Sequence, residues 1–441
     1  MRTATSRGDD SQGSPAALPD GNGLARALRP FAGPVSVEGL TRLSGGASKE
    51  TWSFDAVGLD GTRTGLILRR DLPGRPGEPD ALNREATALS LAHTAGLAVP
   101  EVLLSSHGPD LGTAGMVMRR VDGETIARRI LRDDIYAPAR GVLVGQLAEF
   151  AAGLHAIDPP GSFAQPDPLA QLRLQLDSFG QPPSGQHSDV FELAMDWLSA
   201  HPPPQRDPVL VHGDFRLGNL IVGPEGLRAV LDWEIAHLGN PAEDLGWLCV
   251  KAWRFGAAPP VAGLGSREEL LATYRAAGGP AISPAELHWW EVLGTLRWGV
   301  ICLTQAWAHL SGAHRSVELA AIGRRVCEQE WDLLLMLDPD SARRAAVSRP
   351  QPTGTAQPSP APYGRPTSSE LLEAVREFLT GTVLPQTSGQ LSFHARVAAN
   401  ALAIVLRELE FGSVPPDADL AGVVAARLAV ANPRYFESPP P

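Results

Sequence analysis

Hydrophobic residues along the chain follow two spacings, one typical of helices and one typical of short strands. Residues from about 140 to 200 and from about 265 to 340 carry apolar side chains three or four positions apart, which predicts helices. One such set is Leu143, Leu147, Phe150 and Leu154. Shorter runs rich in Val, Leu and Ile predict β-strands elsewhere. The chain is therefore expected to combine strands with a large helical part.

Three short apolar runs lie close together in the middle of the chain, at residues 209–211, 220–222 and 229–231. The sequence Gly-Pro-Glu-Gly at 223–226 is a turn signal between the last two runs. The pattern predicts a loop, a strand, a tight turn and a second strand. Such a hairpin would bring Asn219 and Asp232 to the same end.

Two polar segments border these strands, His-Gly-Asp-Phe-Arg-Leu-Gly-Asn at 212–219 and Asp-Trp-Glu at 232–234. Transfer of a γ-phosphoryl group requires a carboxylate beside the acceptor hydroxyl and oxygen ligands for Mg²⁺. Asp214 can orient the hydroxyl and accept its proton, whereas Asn219 and Asp232 can offer an amide oxygen and a carboxylate to the metal. A short motif alone is weak evidence, but these parts occur in the required order. The sequence therefore predicts a phosphoryl-transfer site.

These segments resemble a known family, the aminoglycoside phosphotransferase and choline kinase group of kinase-like enzymes. HGDFRLGN is similar to the family's catalytic loop, LDWE to its metal-binding segment, and GNPAEDLGW at 239–247 to the usual continuation. The likeness covers roughly residues 30 to 340 and is greatest to kinase-like domains fused to certain acyl-CoA dehydrogenases and to their free-standing bacterial relatives. It implies an α+β, two-lobed protein-kinase-like fold, with a small β-rich N-lobe and a larger, mostly helical C-lobe.

The resemblance assigns roles to the polar residues of the two segments. Asp214 is implied to be the catalytic base, and His212 a buried organiser of the loop. Asn219 and Asp232 are implied to be Mg²⁺ ligands. Glu234 is open between a contact to the metal through water and an ion pair with a neighbouring arginine.

Two further residues near the loop have expected roles. Arg216 lies two residues after the base, where protein kinases carry a phosphate-contacting lysine. A contact to the γ-phosphate and a surface ion pair are both open for it. Asp244 is expected to tie the loop to the helix that follows, which is a structural role.

A glycine-rich turn precedes the catalytic segment and fits the nucleotide-binding lobe that the family implies. It lies at residues 43–48 and contains Gly45, Gly46 and Ser48. The backbone N–H groups of such a turn can face phosphates. Gly-Gly turns are common in any hairpin, so this turn gains its meaning from its position in the chain.

The strand expected at residues 66–70 ends in two arginines, where the family places a basic residue for the α- and β-phosphates. Because Lys49 and Lys251 are the only lysines of the chain, that residue must be an arginine. Arg69 is the first choice and Arg70 the second. An arginine keeps its charge and offers phosphate a bidentate fork, so function need not be lost.

Two more segments complete the expected nucleotide site. Glu85, near the start of a predicted helix, resembles the acidic residue that pairs with the strand's basic group; a solvent-facing glutamate is the alternative. Residues 115–123 resemble the strand and hinge where adenine binds through backbone groups, with Met118, Arg119 and Val121 as contact residues. Backbone contacts leave no side-chain pattern, so ATP and GTP are not distinguished.

Composition and charge argue against several other classes. The chain has 441 residues, more than one typical core, and a net charge of −11 with scattered arginines, which disfavours a nucleic-acid partner. It carries neither a P-loop nor a dinucleotide glycine pattern. No run approaches the roughly 20 apolar residues of a membrane span, and the polar start lacks the apolar core of a signal peptide. Three widely spaced cysteines suit a reducing compartment, so a cytoplasmic location is expected.

The last part of the chain is expected to form a separate small domain. Six prolines between residues 349 and 366 indicate a flexible linker, assigned to 341–366. Helical patterns follow from about residue 367 and from about 391 to 411. They resemble a small helical domain of unknown function, assigned to 367–434, for which docking, oligomer contact or covering of the acceptor site is expected. The other expected divisions are a disordered tail at 1–25, an N-lobe with hinge at 26–123 and a C-lobe at 124–340.

Three functional classes remain open. The leading one is a small-molecule kinase that uses Mg²⁺ and ATP or GTP to phosphorylate a hydroxyl of a small metabolite. A protein kinase is less favoured, because little chain separates Asp232 from Asn240 and no DFG or APE sequence occurs. The third is a nucleotide-binding scaffold without turnover, motivated by the missing strand lysine. The family offers hydroxyacyl-CoA or hydroxy acids, aminoglycosides and choline-like alcohols as acceptors.

Overall fold

The computed structural model describes residues 19–43, 49–72, 80–106, 109–159, 161, 163–178, 188–348, 368–414 and 418–441. The strands are β1 Val35–Arg42, β2 Lys49–Gly58, β3 Arg63–Asp71, β4 Val102–Ser106, β5 Gly115–Arg119, β6 Val209–Val211, β7 Leu220–Gly223, β8 Gly226–Val230 and β9 His237–Gly239. The helices are α1 Gly21–Ala32, α2 Ala81–Thr94, α3 Ala127–Arg132, α4 Ala137–Arg140, α5 Leu143–His155, α6 Pro168–Ser178, α7 Asp189–Ala200, α8 Ala242–Cys249, α9 Arg267–Ala276, α10 Pro284–Leu310, α11 Val317–Gly323, α12 Val326–Leu337, α13 Pro339–Val347, α14 Ser368–Phe378, α15 Leu384–Gln386, α16 Gly389–Phe411 and α17 Leu420–Ala431.

The described part of the chain divides into two compact units. The N-terminal unit comprises the described residues up to Gly123 together with Arg228–Ala236, and the C-terminal unit comprises the described residues of Glu124–Leu227 and His237–Pro441. The first contains a small sheet and the second most of the helices. No helix among the described residues is long and apolar enough to cross a membrane.

Within the described residues of the N-terminal unit, β1 to β5 form an antiparallel sheet in the order β1-β2-β3-β5-β4. Side chains alternate between the two faces of a strand, so every second residue of β2 and β3 points to the same side. One face is apolar and packs against α1; it carries Trp52, Phe54, Leu66 and Leu68 together with Leu24 and Leu28 of the helix. The opposite face is free to carry polar residues.

Helix α1 corrects the expected N-terminal boundary. The prediction of a disordered tail over residues 1–25 is wrong at its end, because the helix begins at Gly21. The side chain of Asp20 accepts hydrogen bonds from two backbone N–H groups of the first turn, and Leu24 and Leu28 are fully buried. Capping and burial therefore hold this segment on the sheet. Residues 1–18 lie outside the described residues.

The C-terminal unit is built around α5, α8 and α10. Gly246 of α8 allows close contact with α10, because a Cβ atom at this position would lie 2.5 Å from the Cβ of Trp290. A larger residue would push the two helices apart. The short strands β6 and β9 pair antiparallel, with Leu210 opposite Leu238. This pair and α8 together frame the loop at residues 212–219, which we call the HGD loop.

The last helices pack on the helical core of the C-terminal unit. Helix α17, which the sequence pattern did not predict, buries much of its length, and Arg427 on it contacts Glu330 of α12 at 3.0 Å. Beyond α17, the Tyr435 hydroxyl donates to Asp332 Oδ2 at 2.7 Å. Lys251 pairs with the same aspartate at 3.0 Å and lies over the ring of Tyr435. The end of the described chain is thus tied to α12.

The expected linker begins too early in the prediction. Helix α13 occupies Pro339–Val347, because Asp338 caps its first turn and Ala342 and Ala345 are buried. The linker assigned from residue 341 is therefore wrong for this stretch. Residues 349–367, which contain the prolines, lie outside the described residues.

Candidate active site

The HGD loop is fastened to α8 by one buried carboxylate. Asp244 Oδ2 accepts a hydrogen bond from the backbone N–H of His212 at 2.8 Å, and Oδ1 accepts one from Gly213 at 2.9 Å. Gly213 has a φ of +79°, a conformation that glycine adopts without strain. The expected structural role of Asp244 therefore agrees with its contacts.

Two buried residues support Asp244 from the opposite side. His155 Nε2 lies 3.2 Å from Asp244 Oδ2, and its Nδ1 lies 2.8 Å from the hydroxyl of Tyr274. Burial alone would raise the pKa of Asp244, but the hydrogen bond from His155 and the nearby His212 outweigh burial and lower it. The carboxylate is thus held in its charged form. No site role was predicted for His155, because a histidine that follows an apolar helix face is more often a packing or capping residue.

Asp214 is held by donors on both carboxylate oxygens. Its Oδ1 accepts from Arg216 Nε at 2.9 Å and from Trp247 Nε1 at 2.7 Å. Its Oδ2 accepts from Asn219 Nδ2 at 2.6 Å. The side chain remains 18% exposed, so it is oriented and still accessible. The carboxylate can therefore present a lone pair in a fixed direction to a substrate hydroxyl.

Two other predicted residues of the loop contribute to this arrangement. His212 is fully buried, and its Nδ1 accepts a hydrogen bond from the backbone N–H of Asp214 at 3.1 Å. Asn219 donates through Nδ2 to the backbone oxygen of Asp214 at 2.9 Å as well as to its carboxylate. With Nδ2 engaged twice, its Oδ1 is the atom suited to a metal ion.

Arg216 forms an ion pair, one of its two predicted interpretations, but this pair is partly buried and its partner is Asp214. Its guanidinium group lies 4.6 Å from the ring centre of Trp253, and its Nε pairs with Asp214 at 2.9 Å. A Cβ atom on Gly218 would come within 2.2 Å of Arg216 Nη1. The glycine therefore leaves room for the arginine to lie beside the carboxylate. A contact between Arg216 and the γ-phosphate remains a prediction.

The N-terminal unit holds a second group of charged residues, which we call the charged cluster: the predicted Arg69, Glu85, Asp232 and Glu234 together with Lys49. Arg69 Nη2 pairs with Asp232 Oδ1 at 2.6 Å. Its Nε lies 3.2 Å from Glu85 Oε1, although the angle does not make a hydrogen bond. The pairing of the strand's basic residue with Glu85 is therefore present, and the alternative of a solvent-facing Glu85 is wrong.

The pleat of the sheet separates the two candidate arginines. Arg69 lies opposite Thr51 on the polar face, whereas Arg70 lies opposite Glu50. Arg70 is only 2% exposed and pairs with Glu50 at 2.9 Å. It is therefore committed to a buried ion pair, which makes Arg69 the better choice.

Lys49 is the one member of the charged cluster that was not predicted from the sequence. Its Nζ lies 3.0 Å from Glu85 Oε2 and 3.1 Å from Glu234 Oε2. Glu234 also lies 3.1 Å from Arg69 Nη2, so both cations reach it. Of the two interpretations of Glu234, the ion pair with a neighbouring arginine is therefore present, and the contact to the metal through water stays a prediction. Lysine is rare in this chain, which has only two, and this rarity could have indicated that Lys49 has a particular role.

Charge and backbone conformation are unusual in the charged cluster. Burial opposes the charge of Arg69, but attraction by Glu85 and Asp232 outweighs it and raises the arginine's pKa. Burial also raises the pKa of Glu85, against the lowering effect of Arg69 and Lys49. Asp232 has a φ of +66°, which few residues other than glycine adopt. Such strain tends to occur at functional sites.

Of the remaining residues predicted to contact the nucleotide, only those after Gly115 lie in the described part of the chain. Met118 is buried and Arg119 exposed at the end of β5, where the N–H of Arg119 donates to the backbone oxygen of Glu101 at 2.9 Å. That N–H is therefore used within the sheet, and Val121 follows half-buried. Gly45, Gly46 and Ser48 lie outside the described residues.

The residues predicted to bind Mg²⁺ supply suitable oxygen atoms. Asp232 and Glu234 are each one-third exposed and already attract cationic side chains, and Mg²⁺ favours oxygen ligands of this kind. No group of three or more His, Cys, Asp or Glu side chains suited to a metal occurs among the described residues. The predicted set instead combines two carboxylates with the amide of Asn219. Asn219 and Asp232 belong to different units, so their convergence remains a prediction.

A small antiparallel sheet followed by a larger helical unit that carries the HGD loop defines a kinase-like fold. A family model described as the phosphotransferase enzyme family (APH) matches residues 39–290. The chain belongs to this phosphotransferase enzyme family. A second family model, described as a domain of unknown function (DUF6285), matches residues 385–423. The predicted fold class and enzyme class are confirmed, as is the resemblance of the C-terminal part to a domain of unknown function.

Individual relatives agree with this assignment. Acyl-CoA dehydrogenase family member 11 of Gallus gallus is 32% identical over 255 residues, covering 51% of this chain and 29% of that protein. Family member 10 of Mus musculus is 29% identical over 211 residues, covering 42% and 18%. A structure from Ralstonia eutropha, described as a candidate aminoglycoside phosphotransferase, has a TM-score of 0.56 at 21% identity and covers 71% of this chain and 98% of that chain. The chain spans less than a third of these sequence relatives, and the structural likeness concerns the fold.

Proposed function

We propose that this phosphotransferase is a small-molecule kinase that transfers the γ-phosphoryl group of ATP or GTP to a hydroxyl group of a small metabolite. The observation that carries the proposal is the Asp214 carboxylate, which accepts hydrogen bonds on both oxygens and stays accessible. Asp244 fastens the loop that bears it. Such a preorganised carboxylate suits a group that must meet a hydroxyl in a fixed geometry.

In the proposed reaction, Asp214 orients the acceptor hydroxyl and takes its proton as the oxygen attacks the γ-phosphorus. The bond between the γ-phosphorus and the bridging oxygen of the β-phosphate breaks, and ADP or GDP leaves. A positioned base of this kind contributes about 10² to 10⁴ in rate. Arg216 stands beside the carboxylate and contributes positive charge for the transferring phosphoryl group. His212 keeps the loop in place through its hydrogen bond to the backbone of Asp214.

Nucleotide and metal would be held by residues from the other predicted segments. Arg69 would bind the α- and β-phosphates, backed by Glu85, while the backbone around Gly45, Gly46 and Ser48 would face the phosphates. Met118, Arg119 and Val121 would offer backbone groups to the base. Asn219, Asp232 and Glu234 would hold Mg²⁺, which would neutralise negative charge on the nucleotide phosphates.

For the acceptor, we propose hydroxyacyl-CoAs or hydroxy acids as the first class to test. The support is that the sequence relatives are named acyl-CoA dehydrogenase family members, although the match covers 29% or less of each. Aminoglycoside-like compounds and choline-like alcohols form the second class. Family membership does not fix the substrate, so the acceptor must be found by assay.

The proposal also includes a cytoplasmic location and a small-molecule acceptor rather than a nucleic acid or a membrane. Support comes from the net charge of −11 and from the three cysteines, each of which is free and buried. Burial raises the pKa of Cys302 to about 12, so this thiol is a poor nucleophile. Docking or oligomer contact through the C-terminal helices is likewise proposed.

A nucleotide-binding scaffold without turnover is the second candidate. The observation that favours it is the 2.6 Å ion pair between Arg69 and Asp232, because a metal ligand that is already paired must be released first. A protein kinase is less favoured, because the short segment between Asp232 and Asn240 leaves little room for an activation loop.

The test is Mg²⁺-dependent formation of ADP from ATP, measured across hydroxyacyl-CoAs, hydroxy acids, aminoglycosides and amino alcohols. Asp214→Asn serves as the control protein throughout. Turnover with one acceptor class that the variant abolishes would support the kinase and identify its substrate class. Tight Mg²⁺-ATP binding with equal inactivity of both proteins on every acceptor would favour the scaffold instead.

A further inference from the structure

Two cations in the N-terminal unit share one buried anchor. Glu85 is 2% exposed, and its two oxygens are divided between the cations: Oε1 lies 3.2 Å from Arg69 Nε, and Oε2 lies 3.0 Å from Lys49 Nζ. Each cation also lies 3.1 Å from Glu234 Oε2. Lys49 and Arg69 are therefore placed alike between the same two carboxylates.

The sheet register explains why this pair meets. Arg69 of β3 lies opposite Thr51 of β2, and Lys49 is two residues before Thr51. Side chains two apart on a strand share a face, so Lys49 and Arg69 are diagonal neighbours on the polar face. In sequence, Lys49 directly follows the glycine-rich turn at 43–48, whose backbone is proposed to face phosphates.

Neutralisation of Glu85 does not account for Lys49. The carboxylate of Glu85 already has Arg69 as an ion partner, and burial of a lysine to 8% exposure is costly. Lys49 extends beyond Glu85 to Glu234, which is one-third exposed. The cluster holds three carboxylates and two cations, and a nucleoside triphosphate would add further negative charge. One cation alone would leave this site strongly repulsive to phosphate.

We propose that Lys49 is a second phosphate-binding residue of the nucleotide site, acting beside Arg69 and anchored by Glu85. The ammonium group has three donors, of which Glu85 and Glu234 occupy two. When nucleotide binds, Lys49 keeps Glu85 and exchanges Glu234 for a phosphate oxygen. Glu234 is thereby released for its proposed role toward the metal. This inference rests on the proposed nucleotide site.

The experiment compares binding of ADP and adenosine by calorimetry in wild type, Lys49→Met and Lys49→Arg, so that no acceptor or turnover is needed. A charge-assisted contact to phosphate predicts that Lys49→Met weakens ADP binding at least about tenfold, while adenosine binding changes less than about twofold. Lys49→Arg restores most of the ADP affinity. Arg63→Met, which removes an exposed charge from the same sheet, is the matched control and leaves both affinities unchanged.

The inference is overturned if Lys49→Met binds ADP as tightly as wild type, or if it loses ADP and adenosine equally, as a purely structural lysine would. Should Lys49→Met fold poorly, Glu85→Gln is compared with the double variant Lys49→Met/Glu85→Gln, in which the buried carboxylate charge is gone. If the double variant binds ADP at least about tenfold more weakly than Glu85→Gln does, the role of Lys49 is supported. Equal ADP affinities of these two variants reject it. Absence of ADP and ATP binding in wild type would reject the proposed function itself, whereas a loss confined to Arg69→Met would reject Lys49 alone.

Discussion

The HGD loop of the C-terminal unit and the charged cluster of the N-terminal unit each hold an aspartate in place, but by different means. Asp214 is held mainly by donors close in sequence, Arg216 and Asn219, and by the indole of Trp247. Asp232 is held by the charge of Arg69, which lies 163 residues away in the chain. Its backbone is also strained.

The difference concerns what can replace each contact. Hydrogen bonds from an amide, an indole and a nearby guanidinium fix the direction of a carboxylate, and each donor is built into the loop or its supporting helix. An ion pair attracts without a strict direction and can be exchanged for another cation. We therefore expect the HGD loop to keep its arrangement through a catalytic cycle and the charged cluster to change partners.

The strongest test of this difference is the same substitution, aspartate to asparagine, in both regions. Asp214→Asn should lower kcat by about 10² to 10⁴ and leave the affinity for Mg²⁺-ATP within about threefold, because the base is lost and the nucleotide contacts remain. Asp232→Asn should instead remove the Mg²⁺ dependence of nucleotide binding. Steady-state kinetics and calorimetry with and without Mg²⁺ measure the two effects.

Reciprocal results would contradict the assignment of these aspartates. If Asp214→Asn abolished Mg²⁺-ATP binding while Asp232→Asn affected only the rate, the base and the metal ligand would have to be exchanged. The unchanged chain length and near-equal volume of the two variants make each a control for the other.

The second prediction concerns the anchor of the HGD loop. Asp244→Asn should lower the free energy of unfolding by about 3 kcal/mol at pH 7, because backbone donors and His155 lose a buried carboxylate. A carboxyl whose pKa is lowered by folding stabilises the protein above its ordinary pKa, and this contribution is lost as the pH falls. The difference between wild type and variant should therefore be constant from pH 7 to about 5 and shrink below the ordinary pKa of 3.8.

Urea denaturation at several pH values measures this difference. A gap that widened on acidification would have the wrong sign and would exclude a lowered pKa for Asp244. The variant should bind ADP as wild type does, because its expected effect is confined to the support of the HGD loop.

Much of the HGD loop could be predicted from the sequence, and less of the charged cluster. The loop residues lie within eight positions, so their order alone indicates their chemistry. The cluster joins residues as far apart as Lys49 and Glu234, and only the register of β2 against β3 brings its cations together. A motif carries no information on strand register, which is why Lys49 was missed.

Other differences have similarly local causes. The start of helix α1 was assigned to a tail because its polar surroundings concealed Leu24, which becomes buried only against the sheet. Trp247 was recognised as part of a motif but not as a donor to Asp214, since an indole in an apolar helix usually packs. Contacts that depend on tertiary structure were therefore the ones that the sequence could not predict.

The third prediction uses two adjacent arginines as a matched pair. Arg69→Met should weaken ADP binding about tenfold or more, since its side chain is proposed to contact phosphate, and should lower stability less than Arg70→Met, because Lys49 still pairs with Glu85. Arg70→Met should lower the free energy of unfolding instead, because Glu50, on the other face of the sheet, loses its buried ion partner and keeps the exposed Arg42 at 3.3 Å. Calorimetry measures the ADP affinity of both variants, and urea denaturation measures their free energies of unfolding. Unchanged nucleotide affinity in Arg69→Met would remove Arg69 from the site.

The smallest expected effect tests whether the donors to Asp214 are partly redundant. Trp247→Phe removes the indole N–H, which lies 2.7 Å from Asp214 Oδ1, but keeps a ring for packing and for Arg297, whose guanidinium lies 5.1 Å from the ring centre. Arg216 still donates to the same oxygen. The loss of this one donor, with Arg216 still on the same oxygen, should therefore lower kcat only about three- to tenfold, with nucleotide affinity unchanged.

Trp307→Phe, on an exposed tryptophan, is the control and should leave kcat as it is. A loss in Trp247→Phe as large as that of Asp214→Asn would mean that Arg216 cannot hold the carboxylate without the indole. The HGD loop would then depend on a contact from α8 as strongly as Asp232 depends on Arg69. The proposed difference between a locally fixed loop and an exchangeable cluster would not survive that result.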